Sequence, residues 1–193
     1  MNNDIKMENI NKDSIKNAEE DKNIANLKRL LFISVIGILL LIFFDQYTKL
    51  LATEYLKDKS NIIIIKDVLE LTYLENTGAA FSLMHGFSSV FQSVMIIVTP
   101  LFCLLIAYFA VRLSKVKKFR PLYIDLLFVF SGALGNYIDR ISHKYVVDFI
   151  FFSIIDFPVF NVADIYITCG FIYLIILLLF IYKDSDLKEI KLF

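Results

Sequence analysis

The chain alternates long apolar runs with short polar stretches. Four of the runs approach the roughly 20 residues that a helix needs to cross a bilayer core of about 30 Å. They cover approximately 28–51, 87–111, 121–138 and 162–182. Between the first two, Asn61–Leu74 (NIIIIKDVLELTYL) is rich in β-branched residues and ends in alternation, which predicts a half-buried pair of strands. Tyr145–Phe160 (YVVDFIFFSIIDFPVF) has the same character and carries Pro158, which disfavours helix. The pattern therefore predicts an all-α membrane protein of four transmembrane helices with a small β-like platform at one membrane face. Residues 1–27 carry charge and asparagine without a sustained apolar period, and are expected to be an unstructured solvated tail. Residues 28–183 would form the membrane domain and 184–193 a short terminal tail.

Composition agrees with a bilayer as solvent. Hydrophobic residues make up 58% of the 193 positions and mean hydropathy is +0.65, against about 45–50% apolar residues in ordinary soluble domains. The 20 basic and 20 acidic residues cancel, so no global field exists to gather nucleic acid. Cys103 and Cys169 lie in apolar runs and follow no metal or disulfide spacing. Local charge is more informative. The connection 112–120 holds Arg112, Lys115, Lys117, Lys118 and Arg120 without an acid, whereas the other two connections are net acidic. By the positive-inside rule both termini and the basic connection are cytoplasmic, and the platform is extracytoplasmic.

Ionisable groups at the edge of a hydrocarbon layer are costly and need a partner or a task. This sequence gathers them in five blocks. Asp45 and Lys49, in FDQYTK, are four apart and face each other on a helix. Asn76 and Gly78, in ENTGAAFS, combine a turn with close backbone approach. Asn136, Asp139 and Arg140 close SGALGNYIDR, whose small residues allow tight helix packing. Asp148 in VVDF and Asp164 in FNVAD each set one carboxylate in an apolar context, with Asn161 and Asp164 at the start of the fourth span, where a helix N-terminus favours negative charge. Taken singly, each has an ordinary explanation as a cap, an interfacial pair or a packing residue. Two carboxylates sharing a poorly solvated site instead hold one proton between them. That state suits peptide hydrolysis: the ionised member activates water while the protonated member donates to the scissile carbonyl. No His-Glu-x-x-His or Gly-x-Ser-x-Gly element offers a competing hydrolytic chemistry. The alternative from another class is a small proton- or cation-coupled transporter subunit, whose relay carboxylates would lie near the membrane midplane.

The ordered set of blocks resembles the bacterial lipoprotein signal peptidases (signal peptidase II), over about residues 30–182. The resemblance implies an aspartyl endopeptidase with Asp148 and Asp164 as the catalytic pair. It further implies that Asp45, Lys49, Asn76, Gly78, Asn136, Asp139, Arg140 and Asn161 support the site or hold substrate. The implied substrate is a prolipoprotein bearing a diacylglyceryl group on its lipobox cysteine, cut on the N-terminal side of that cysteine. No metal or organic cofactor and no nucleic acid is implied. The expected setting is a monomer among the lipids of the bacterial cytoplasmic (inner) membrane, with its active site near the outer leaflet. The chain departs from the family pattern at Glu75, Ser131, Ile165 and Tyr166, positions that bear on the shape of a substrate channel. Asp125, in the first turns of the third span, and Asp156 are left outside the site.

Overall fold

The structure, a computed structural model, describes residues 2–78, 88–183 and 185–186. In chain order it contains α1 (Asn2–Leu56), β1 (Ile62–Ile65), β2 (Leu69–Asn76), α2 (Ser88–Ser114), α3 (Arg120–His143), β3 (Val146–Phe151) and α4 (Val162–Ile176), which ends in a π-helical turn, Leu177–Ile181. The chain divides into two units, Met1–Ile36 and Gly37–Phe193. In the first, the backbone is helical from Asn2 onward, where composition alone predicts an unstructured tail over 1–27. A helix nucleated in an apolar run extends into Lys-, Glu- and Ala-containing sequence at little cost per residue, because nucleation is the expensive step. The expected tail at 184–193 lies mostly outside the described residues. Of it, Asp186 pairs with Lys118 at 2.5 Å.

Among the described residues, four helices are long and apolar enough to cross a membrane: Glu19–Leu56, Val90–Ser114, Lys117–His143 and Val162–Ile181. The start expected for the second, Phe87, falls outside the described residues. Within the second unit, large apolar side chains such as Leu39, Leu101, Leu104 and Phe180 are exposed, while Asp45, Lys49, Asn136, Asp139, Asp148 and Asn161 are buried. That inversion is what a lipid solvent demands: Leu and Phe face acyl chains at no cost, and polar groups gather inside where they can bond one another. The protein is a multi-pass membrane protein.

α3 packs against both α2 and α4. Small residues on both helices set the approach of α3 to α4, since a Cβ at Gly132 of α3 would meet the Ala163 carbonyl and Ile167, and one at Gly170 of α4 would meet Val129. The strands form one antiparallel sheet in the order β1-β2-β3. In β3, Val147 and Phe149 join Ala52 and Leu56 of α1 in a buried apolar cluster with Leu71 and Tyr73 of β2. Side chains alternate along a strand, so Asp148 points away from that cluster. Beyond β3 the chain doubles back and Phe160 bridges to Ile150. The residue after Phe160 is the cap of α4, so this bridge brings the start of the last span beside Asp148.

Candidate active site

A single cation, Lys49, organises the base of the site. Its Nζ lies 2.9 Å from Asp45 Oδ2 and 3.1 Å from Asp139 Oδ2, and donates to Asn136 Oδ1 at 2.9 Å. These three acceptors match the three N–H bonds of an ammonium group. The two carboxylates accept further bonds as well. Asp45 Oδ1 accepts from the Ala163 backbone N–H at 2.9 Å, and Asp139 Oδ2 accepts from the Val147 N–H at 3.1 Å. Gln46 Nε2 donates to Asp139 Oδ1 (2.9 Å), Asp45 Oδ2 (3.1 Å) and the Gly135 carbonyl (3.1 Å). Two carboxylates and one ammonium thus tie α1 to α3, to the entry of β3 and to the first turn of α4.

Three asparagine amides sit above this base, each with its oxygen already occupied. Asn136 Oδ1 accepts from Lys49 and from Asn161 Nδ2 (3.1 Å), which leaves its Nδ2 to donate to Asp164 Oδ1 at 2.8 Å. Asn161 caps α4: its Oδ1 accepts from the Asp164 N–H at 3.0 Å, while Asp164 Oδ2 accepts from the Asn161 N–H at 3.2 Å. This reciprocal capping box satisfies two helix-end donors. It also fixes the amide so that Nδ2 donates to Asp148 Oδ1 at 2.6 Å. Asn76, the last residue of β2, accepts from the Gly78 N–H at 2.8 Å and donates through Nδ2 to Asp148 Oδ2 at 2.7 Å. Gly78 has φ +86°, and a Cβ there would run into the Phe91 ring. Glycine is required on both counts.

Asp148 and Asp164 therefore arrive from different elements, β3 and the first turn of α4, and both bond to Asn161. Their surroundings differ. Asp148 is buried, and burial pushes its carboxyl up to about 7; the neighbouring Asp164 charge acts in the same direction, while the Asn76 and Asn161 donors and Lys49 pull the other way. Asp164 is half-buried, receives the Asn161 N–H, and stands at a helix N-terminus, where negative charge is favoured. It also lines an open cavity of about 420 Å³ together with Phe157, Phe160, Ile165 and Cys169. One wall of that cavity is chemistry and the rest is apolar.

Of the residues singled out from sequence, Asp45, Lys49, Asn76, Gly78, Asn136, Asp139, Asp148, Asn161 and Asp164 form one bonded network. Arg140 does not pair with Asp139. Successive helix residues diverge by about 100°, and its Nη1 instead donates to the Asn136 carbonyl at 3.4 Å, while its Nε has no partner among the described residues. Sequence reasoning missed Gln46, although it lies inside the first block, because its acceptors on α3 are far away in the chain. In sequence, Gly135 reads only as a packing residue. A Cβ there would overlap Asp45 Oδ2, so this glycine is what lets the carboxylate of α1 reach α3.

Comparison with known proteins identifies the family. The family described as Signal peptidase (SPase) II matches residues 37–180. A lipoprotein signal peptidase of Clostridium tetani is 39% identical over 166 residues, covering 84% of this chain and 98% of its own. One from Staphylococcus aureus is 36% identical over 160 residues, covering 82% and 94% respectively. A solved bacterial membrane enzyme shares 32% of its sequence and superposes with a TM-score of 0.65, over 77% of this chain and 94% of that one. With its four apolar helices, three-stranded sheet and two carboxylates on one asparagine, the chain belongs to the signal peptidase II family of peptidases.

Proposed function

We propose that Asp148 and Asp164 are the catalytic pair of an aspartyl endopeptidase that removes signal peptides from diacylglyceryl-modified prolipoproteins, cutting on the N-terminal side of the lipidated cysteine. The observation that carries this reading is the joint hold of Asn161 on both carboxylates, one deeply buried and one open to an apolar cavity. Asp164, the more polar of the two settings, acts as base and takes a proton from a water molecule. Asp148, whose carboxyl retains its proton to about pH 7, donates to the carbonyl oxygen as the tetrahedral intermediate forms. On collapse, a proton passes to the cysteine nitrogen. The signal peptide leaves as a carboxylate, and the lipidated cysteine becomes the new N-terminus. Asn76, Asn136 and Asn161 cannot ionise, so they hold the pair in place without competing for its proton.

A lipid-modified cysteine keeps its acyl chains in the bilayer, and an apolar cavity beside Asp164 gives those chains or the adjoining signal segment a surface to bind. Such remote binding energy positions the scissile bond. The basic connection 112–120 and both termini are assigned to the cytoplasm, and the sheet and the site to the outer leaflet of the bacterial cytoplasmic membrane. The transporter alternative draws no support from the site. Asp148 lies on a strand and Asp164 in the first turn of a helix, not in the middle of a span.

The test is processing of a lipidated precursor, read as a gel shift, by wild type, Asp148→Asn and Asp164→Asn. Each variant is expected to lose about 10²–10⁴-fold in rate, the usual worth of a general acid or base, while keeping the wild-type melting profile in detergent to within a few degrees. Ordinary turnover by either variant would overturn the assignment.

A further inference from the structure

Asp125 lies in the first turns of α3, outside the network described above. It is 4% exposed, and its Oδ2 has no hydrogen-bond partner among the described residues. No charged side chain among them acts on it either. A carboxyl held without a partner inside a membrane helix is costly, and groups placed so mark a site that something else completes. α3 has 24 residues, about 36 Å at 1.5 Å per residue, which exceeds a hydrocarbon core of about 30 Å. Its first turns therefore lie where head groups meet acyl chains.

The surroundings of this carboxyl suit a small cation. Asp125 lines an open cavity of about 220 Å³ between α3 and α4, with Ile124, Phe128, Tyr166, Gly170 and Tyr173. The Phe128 and Tyr166 rings stand at 77° with centroids 6.0 Å apart, so they make a corner, and Tyr173 adds a third ring. Gly170 keeps the approach to the acid clear, since a Cβ there would stand 3.3 Å from Asp125 Oδ1. Aromatic rings beside a carboxyl are the chemistry that holds an ammonium group. The rim has the opposite sign. Arg120 is exposed and lies four residues before Ile124, one turn away on the same face of α3. It closes the connection 112–120, which holds five basic residues and no acid.

We propose that this groove is a binding site for a zwitterionic phospholipid with a primary amine, of the ethanolamine type. Its ammonium bonds to Asp125 among the three rings, and its phosphate meets Arg120, as head groups do in basic pockets between membrane helices. The arrangement of charge selects this occupant. A lysine from a neighbouring membrane helix would satisfy Asp125 but bring no anion to the basic rim. An anionic lipid would satisfy Arg120 and leave Asp125 unpaired. The site shares no residue with the catalytic pair or its network, so it does not depend on the peptidase reading.

The decisive experiment takes the full-length protein in neutral detergent and titrates it with phosphatidylethanolamine, its N-acetylated form or phosphatidylglycerol. Native mass spectrometry reads retained lipid, and thermal melting reads stabilisation. Wild type is expected to hold phosphatidylethanolamine about tenfold more tightly than either other lipid, as for one charge-assisted hydrogen bond. Its melting temperature should rise with that lipid and not with the others. Asp125→Asn should abolish the preference, and Arg120→Gln should weaken retention of phosphatidylethanolamine. Cys169 is exposed and lines the same cavity. With Cys103 replaced by alanine, thiol labelling of Cys169 should slow on adding phosphatidylethanolamine and not phosphatidylglycerol. That readout keeps the natural carboxyl, so it stands whether or not Asp125→Asn folds. Equal retention of the three lipids, a preference that survives Asp125→Asn, or unchanged labelling would overturn the proposal. So would a Cys169–Cys169 crosslink that phosphatidylethanolamine does not suppress, which would show a second copy covering the groove.

Discussion

Lys49 is the residue whose loss should be felt most widely. It balances two carboxylates that are almost wholly withdrawn from solvent, so Lys49→Met leaves buried negative charge uncompensated and should cost on the order of 3–5 kcal/mol. Unfolding in mixed micelles measures this. Gln46→Leu, which removes neutral donors only, should cost less, about 1–3 kcal/mol. Asp148 makes a prediction about pH. Burial raises its carboxyl from 3.8 to about 7 in the folded protein. The folded state therefore binds this proton more tightly than the unfolded chain does. The stabilisation from that tighter binding is complete below about pH 4, declines as pH climbs from 3.8 toward about 7, and is gone above that window. Asp148→Asn should flatten this part of the stability profile, and wild-type kcat/KM should fall on the alkaline side from about pH 7 as the proton is lost. A pH–rate profile flat through pH 9 would contradict the role given to Asp148. Most of these residues were legible in sequence because each stands out as a polar group in an apolar run. Their partners were not. Asp45 and Lys49 announce each other at a spacing of four, but nothing along the chain says that Asp139 completes the triangle, or that Arg140 does not.

At the scale of elements, the four spans could be read from apolar run length because lipid permits little else to cross it. The strands could be read from β-branching, but not their order or the register irregularities in both strand pairings, since the β2–β3 pairing depends on contacts between segments 70 or more residues apart. Two glycines carry the elements into contact. Gly135→Ala should drive a methyl group into Asp45 and cost about 1–3 kcal/mol, as other overpacked sites do. Because the clash falls on a network residue, processing should fall with it. Gly78→Ala combines an unfavourable φ with a clash against Phe91, and should reduce the rate by detaching Asn76 from Asp148. Thermal melting alongside precursor cleavage tests both. By contrast, the exposed Lys57–Glu75 pair between the end of α1 and β2, at 2.8 Å, should be dispensable, since such pairs contribute little in solvent.

For the whole molecule, the distribution of charge among the connections gives a topology that labelling can check. With Cys103 and Cys169 replaced, cysteines at the exposed positions Lys115 and Ser60 should react with an impermeant reagent from opposite sides of the membrane. Reaction from one side only would dismantle the four-span arrangement. The residue Asn161 joins this scale to the smallest one. The same amide that caps the last span also donates to Asp148, the proposed acid, and the backbone N–H of the same residue donates to Asp164, the proposed base. On the proposed roles, competence waits on insertion of the last span. With those roles, a nascent chain still waiting for its fourth helix has neither half of the cutting apparatus in working position, and is expected to pass its unprocessed neighbours as a harmless passenger until its own assembly is complete.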